Sequence, residues 1–332
     1  MNQLEFQLFT LEEWKAFLNY NTQECLKKKY YVNNFSDILS AVHSFCVEMK
    51  STICFIYSKA KVLVCKIGFD NSIRKICIEE EIESLKLLDS VEKEWKPFLQ
   101  ARVDIDHTEN FLISFTEYCC LHTQSKCRTL RELSFAKECG DLEFRGCIFQ
   151  CLALLKHLQN KYPGFRHNDL KADNVLITQG SFSVQTFELD TKNGTRYFRI
   201  PCNFQCVMVD FESTGWTGKV VSENEELVKL KEAFGIFDID CPIFDFHLLC
   251  MDILRCAKVE NGYWEPHFQY FYSFLMDFFQ EWHFKKEQLK EFRLQRKHQL
   301  VTRWDLTDMM LHPYFYGFRY VSDGLENNIV KI

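Results

Sequence analysis

The string HNDLKADN collects His167, Asp169, Lys171 and Asn174, and three strand-forming residues, Val175, Leu176 and Ile177, follow directly. An aspartate held in a loop before a strand can accept the proton of an attacking hydroxyl. An asparagine five positions on, the spacing of Asp169 to Asn174, can ligate a Mg²⁺ ion that bridges nucleotide phosphates. A lysine between them can neutralise charge on a transferred group. Alone, the spacing says little, because Asp and Asn are common in loops for conformational reasons.

Three more residues fall in a consistent order. CVMVDFE (206–212) places Asp210 at the end of an apolar strand, where a second metal ligand is needed. VLVCK (62–66) puts Lys66 inside a strand, on the same face as Val64. Glu81 lies one helical turn from Ile78 and Leu85, at the edge of a buried stripe, where it could meet that lysine. A lysine taken out of water needs such a carboxylate.

The elements that must position these residues follow from periodicity. Residues 52–57 and 61–67 read as strands around an SKA turn, and 110–118 as another strand. Ile78, Ile82, Leu85 and Leu88 recur at helical spacing, as do Phe144, Ile148, Cys151, Leu152, Leu155 and Leu158 from Leu142 to about Lys161. Thr10 with Glu13 forms a capping box for an early helix. Beyond 245 nearly everything reads as helix. Strands early and helices late predict an α+β fold with a small β-rich part and a larger helical one.

In this order the motifs resemble those of the protein-kinase family. HNDLKADN is similar to its catalytic loop, VDFE stands where the family has D-F-G, and Lys66 and Glu81 stand at its strand lysine and helix glutamate. TRWDLTDMMLHPYF (302–315) is similar to the last helix of many Ser/Thr kinases, with Arg303 followed nine residues later by His312-Pro313. Asp245, 35 residues after Asp210, stands at the family's central-helix aspartate, so the resemblance spans about residues 50 to 316.

The resemblance implies a two-lobed protein-kinase-like fold. It divides the chain into an N-terminal helical extension (1–35), a small lobe (36–118) and a large lobe (119–332). It implies ATP-dependent phosphoryl transfer to Ser/Thr hydroxyls of a protein substrate. Asp169 would be the base and Lys171 the phosphate-contacting lysine, with Asn174 and Asp210 as Mg²⁺ (or Mn²⁺) ligands. Lys66, Glu81 and Val64 would form the ATP site. Lysine two places after the base resembles the Ser/Thr branch. HND, DFE and the lack of a glycine loop look most like the divergent kinases of large cytoplasmic DNA viruses. The alternatives are a non-catalytic kinase-like binding module and a small-molecule phosphotransferase of the choline-kinase or aminoglycoside type, which HND and DFE also resemble.

Departures from the family are specific. No glycine precedes Gly68, so no G-x-G-x-x-G loop is present, and 41–52 takes its place. Glu212 replaces the D-F-G glycine, and Glu232 is the only residue offered for the A-P-E glutamate. Asn174 to Asp210 is 36 residues, long enough for an inserted hairpin near 181–200 with an Asn193-Gly194 turn. Asn168 stands where the family has the arginine that receives an activation-loop phosphate. Ser213, Thr214, Thr217 and Ser222 follow Asp210, with Glu223, Glu225 and Glu226 beyond them. The expectation is a loop ordered by packing rather than by phosphorylation.

Composition narrows the partners. Forty basic against 46 acidic residues, a net charge of −6, give no general attraction to nucleic acid. No run of 18 or more uncharged apolar residues suggests a membrane span, and the acidic start is unlike a signal peptide. The 16 cysteines then fit a reducing, cytoplasmic setting (host cytoplasm or virion for a viral protein), with Cys147/Cys151 and Cys202/Cys206 as buried thiols rather than metal ligands. The basic run 284–298, six Lys/Arg against two Glu, reads as a solvated helix face. Oligomeric state is not legible.

Overall fold

A computed structural model describes residues 4–9, 29–32, 42, 53–57, 62–69, 73–99, 102–107, 111–117, 128–134, 139–179, 184–201, 204–219, 242–257, 266–279, 305–320 and 329–332. The fold is mixed α+β. It divides into two compact units, Met1–Val91 with Leu99–Cys127, and Glu92–Phe98 with Arg128–Ile332.

The first unit is built on a six-stranded sheet. Its strands are β1 (Leu4–Phe9), β2 (Lys29–Val32), β3 (Ile53–Tyr57), β4 (Val62–Phe69), β5 (Arg102–His107) and β6 (Phe111–Glu117), in the order β2-β1-β3-β4-β6-β5. Every neighbouring pair is antiparallel. β3, β4 and β6 lie where their β-branched and apolar runs predict. Residues 4–9 and 29–32 differ from the expected N-terminal helical extension, since both are strands of this sheet. Leu4, Phe6 and Leu8 alternate with Glu5 and Gln7, a period of two that suits a strand, and Leu8 is buried. The Thr10–Glu13 capping box lies outside the described residues. Helix α1 (Ile73–Leu88) buries Ile78, Ile82, Leu85 and Leu88, the predicted stripe.

The second unit is organised around helix α3 (Asp141–Lys161), preceded by the short α2 (Leu130–Ser134). All six predicted core positions of α3 are buried. So are Gly146, Cys147, Phe149, Gln150, Ala153 and Leu154, so its middle is enclosed nearly all round. A three-stranded sheet carries the order β11-β8-β7, from β7 (Arg128–Thr129), β8 (Val175–Gln179) and β11 (Phe204–Met208).

The inserted hairpin is β9 (Val184–Thr191) and β10 (Gly194–Pro201). Gly194 pairs with Thr191, so the turn is Lys192-Asn193, one residue earlier than expected. Gly194 follows it at φ 99°, a conformation glycine adopts without steric cost. The hairpin is not a free excursion. Phe187, Leu189, Phe198 and Ile200 are buried, and the Phe149 ring of α3 meets Phe187 and Phe198 at 5.7 and 4.7 Å between centroids. Two short strands complete its sheet in the order β12-β10-β9-β13, with β12 (Arg319–Tyr320) antiparallel to β10 and β13 (Ile329–Lys331) parallel to β9.

Helices α4 (Phe244–Ala257), α5 (Pro266–Met276) and α6 (Leu306–Met310) follow the expected helical trend. β12 and β13 depart from it. Asp305 and Asp308 close a capping box on α6. Arg303 and the run 284–298 lie outside the described residues. No helix among the described residues is long and apolar enough to cross a membrane.

Glu92–Phe98 belongs to the second unit, although its chain neighbours belong to the first. Trp95 is fully buried, stacks on His157 at 4.5 Å and donates its indole N–H to the Lys331 carbonyl at 2.9 Å. Glu92 meets His157 Nε2 at 3.0 Å and Lys161 Nζ at 2.5 Å. The Lys161 hydrogen bond holds the Glu92 carboxyl down at about 2, against the opposing effect of partial burial. A depressed carboxylate contributes stability above its ordinary value of 4.5, and loses it as pH falls towards about 2. Glu92→Gln is therefore expected to lower stability at pH 6 by less than about 1 kcal/mol for so exposed a pair, seen as a slight drop in Tm. The difference from wild type should shrink as pH falls below about 4.5, and a gap that widened on acidification would refute the assignment.

Candidate active site

In the first unit, Lys66 sits on an interior strand, paired with Ile53 on one side and Ser114 on the other. Cys65 and Ile67 point into the apolar core, which puts Lys66 and the half-buried Val64 on the opposite face. Lys66 Nζ lies 2.7 Å from Glu81 Oε1, with side-chain exposures of 9% and 0%. Both groups are almost wholly out of water, and their opposite charges offset part of the cost of burying them. The second oxygen of Glu81, Oε2, is buried with no hydrogen-bond partner among the described residues.

Gly68 lets the two elements approach. A Cβ there would lie 2.3 Å from the Lys75 Cα, in the first turns of α1. Gly68→Ala is expected to push α1 off β4 and to destabilise the first unit by about 1–3 kcal/mol, read by chemical denaturation. An unchanged denaturation midpoint would show that the close approach is not needed.

In the second unit the loop after α3 carries the predicted cluster. Lys171 Nζ is 2.6 Å from Asp169 Oδ2, and Asn174 Nδ2 donates to the same oxygen at 3.2 Å and to the Asp169 carbonyl at 2.9 Å. Asp169 and Lys171 are each about two-fifths exposed, so the cluster is open to a ligand. Burial alone would lower the Lys171 pKa, but its hydrogen bond to Asp169 and the charges of Asp169, Asp210 and Asp173 outweigh that and raise it. Asp210 is thus within electrostatic reach of Lys171.

The backbone holds these groups at unusual angles. Among the described residues only Asn168 and Asp210 combine a side chain with positive φ, at 65° and 69°. Asn and Asp tolerate the left-handed region better than other residues, and such outliers gather at functional sites. Val209, next to Asp210, donates to the Asn174 carbonyl at 3.1 Å, and His167 Nε2 contacts the Val209 carbonyl at 2.9 Å. The two halves of the cluster are thereby stitched together.

Helix α4 grips the loop from beneath with two carboxylates. Asp245, fully buried, accepts the backbone N–H groups of His167 and Asn168 at 2.6 and 2.8 Å. Burial pushes its pKa up, while the nearby His167, those two N–H bonds and Arg166 pull it down. Asp252 accepts the Ala172 N–H at 3.0 Å and Arg131 Nη2 at 2.9 Å, and the same Arg131 nitrogen reaches Asp173 at 2.9 Å. Sequence reasoning did not single out Asp252 or Arg131. The available signal was the seven-residue spacing of Asp245 and Asp252, two turns along one helix face.

The donor set suits a hard cation. Asn174 gives its Nδ2 to Asp169, which leaves Oδ1 for a metal, and Asp210 adds a carboxylate, so both ligands are oxygens of the kind Mg²⁺ and Mn²⁺ take. No group of three or more His, Cys, Asp or Glu able to hold a metal occurs among the described residues.

The structure therefore brings Asp169, Lys171 and Asn174 into contact, sets Asp210 beside them, and separately joins Lys66 to Glu81. Cys147, Cys151 and Cys206 are buried thiols, with burial raising Cys206. Thr214 is buried, whereas Thr217 is exposed. Cys202, Ser222, Glu223, Glu225, Glu226, Glu232 and most of 41–52 lie outside the described residues. No protein-family model matches the chain, and no curated protein sequence matches it either.

Proposed function

We propose that the chain is an ATP-dependent phosphotransferase acting on Ser/Thr hydroxyls of proteins, its two units corresponding to the small and large lobes of a protein-kinase-like fold. The observation that carries this reading is the Asp169 cluster: a half-exposed carboxylate in direct contact with Lys171 and Asn174, on a loop whose backbone is clamped by Asp245.

Both contacts fall on Asp169 Oδ2, which leaves Oδ1 to accept the proton of an incoming hydroxyl. Lys171 supplies a positive charge close to that point, where a phosphoryl group in transfer is most negative. Asn174 and Asp210 would hold Mg²⁺ or Mn²⁺, which when bound neutralises and orients the phosphates. Lys66, its ammonium supported by Glu81, is suited to phosphate oxygens of ATP, and Val64 on the same strand face to an apolar part of the nucleotide.

The test is direct. Purified protein is incubated with γ-labelled ATP, Mg²⁺ and generic protein acceptors, with choline and an aminoglycoside in parallel, each with and without EDTA. Label on protein serine or threonine, lost with EDTA, is expected. Label only on the small molecule would replace this reading with a small-molecule phosphotransferase, and no label with a non-catalytic binding module.

A further inference from the structure

Asn168 joins two parts of the site. Its backbone N–H is held by Asp245, its φ is 65°, and its side-chain Nδ2 donates to the Ser213 carbonyl at 2.9 Å. It lies one residue before Asp169 and its partner lies three after Asp210. One buried amide therefore spans the two segments that carry the site's carboxylates.

We infer that Asn168 is a positioning residue: its amide fastens the segment after Asp210 to the loop carrying Asp169, and does so without a phosphate group on that segment. The inference rests on the phosphotransferase reading above. It draws on how the two stretches are zipped. Arg166 and Gly215 exchange both backbone hydrogen bonds at 2.8 Å, and the Thr217 N–H donates to the Pro163 carbonyl at 2.8 Å. At one end the two stretches can close this tightly because Gly164 carries no side chain. A Cβ on Gly164, whose φ is 71°, would sit 2.6 Å from Thr217 Oγ1 and 3.3 Å from its backbone nitrogen, whereas one on Gly215 would make only ordinary contact with Asn168 Nδ2 at 3.4 Å.

Asn168 completes this zipper with the only side-chain bond among those four. Its acceptor is a backbone carbonyl, so the bond is indifferent to modification of the Ser213 side chain. Thr214 is 2% exposed, its hydroxyl enclosed rather than offered to a modifying enzyme. A neutral amide bonded to a carbonyl adds little net energy in the open, but here the amide is buried and the Ser213 carbonyl partly shielded, so losing the donor costs more than at an exposed site. The segment is held by geometry already present in the unmodified chain.

The deciding variant is Asn168→Gly, which keeps the left-handed backbone without strain and retains the N–H bonded to Asp245, while deleting the amide. Three quantities are read: kcat and KM for ATP in the transfer assay, amide hydrogen exchange across 213–217, and wild-type activity after phosphatase treatment. Expected results are a kcat at least tenfold lower with KM for ATP changed less than threefold, exchange across 213–217 at least tenfold faster with that of α3 unchanged, and wild-type activity kept within twofold. Unchanged kcat or unchanged exchange in Asn168→Gly would overturn the inference, as would a tenfold loss of wild-type activity on dephosphorylation. Should wild type transfer no phosphate at all, the phosphotransferase reading fails, and the exchange measurement still decides whether Asn168 holds the segment.

Discussion

Asp169→Asn is expected to lower phosphoryl transfer by about 10²–10⁴-fold while leaving the fold and nucleotide binding near wild type. The substitution is isosteric and removes the basic oxygen. Asn174 Nδ2 keeps an acceptor in the new side-chain carbonyl, and its bond to the residue 169 backbone carbonyl is untouched. Lys171 loses its ion pair, but both side chains are about two-fifths exposed, so water screens the loss and the stability change should stay below about 1 kcal/mol. The effect must then appear in kcat rather than in Tm or in ATP affinity measured by calorimetry. A variant that transferred phosphate at the wild-type rate would remove Asp169 from the mechanism, and with it the main support for the proposed function.

The largest expected loss of stability is at Asp245. Its carboxylate is fully buried and satisfies two backbone N–H groups of the loop, at 2.6 and 2.8 Å. Asp245→Ala leaves both donors buried without an acceptor, at about 1–3 kcal/mol each, so the second unit should lose about 3–5 kcal/mol. Asp245→Asn should lose roughly half as much, because one oxygen remains to accept and the amide NH₂ faces a donor. Denaturant unfolding of the three proteins, followed by the intrinsic tryptophan signal, checks the order. A loss below about 1 kcal/mol in Asp245→Ala would mean that water or another group satisfies the loop, and that Asp245 is not its anchor.

Local periodicity determined the parts of this protein in which neighbouring residues report on one another. The β3–β4 pair, α1 and α3 are legible because their apolar residues repeat at the period of the element, and the element buries the side that repeats. The chemical string was legible for a similar reason: Asp169, Lys171 and Asn174 lie close enough along the chain for one loop to bring them into contact. Lys66 and Glu81 lie 15 residues apart and meet as opposite buried charges, on a strand and a helix whose periods are legible. Even so, β1 and β5 show the same alternation (Leu4, Phe6, Leu8; Val103, Ile105), which by itself does not mark a strand. A short period-two run becomes a strand only when a sheet edge is there to receive it.

Tertiary structure decided the rest. β13 pairs with a strand more than 140 residues earlier in the chain, and Val330 is buried because the hairpin and Trp95 are already in place beside it. Arg131 reaches Asp252 across 121 residues, and Asn168 reaches Ser213 across 45. A polar side chain states in the sequence that it needs a partner, since burying it unpaired is costly, but it does not state which one. Backbone carbonyls such as that of Ser213 are present at every residue, so which of them an amide finds depends on how the chain has packed.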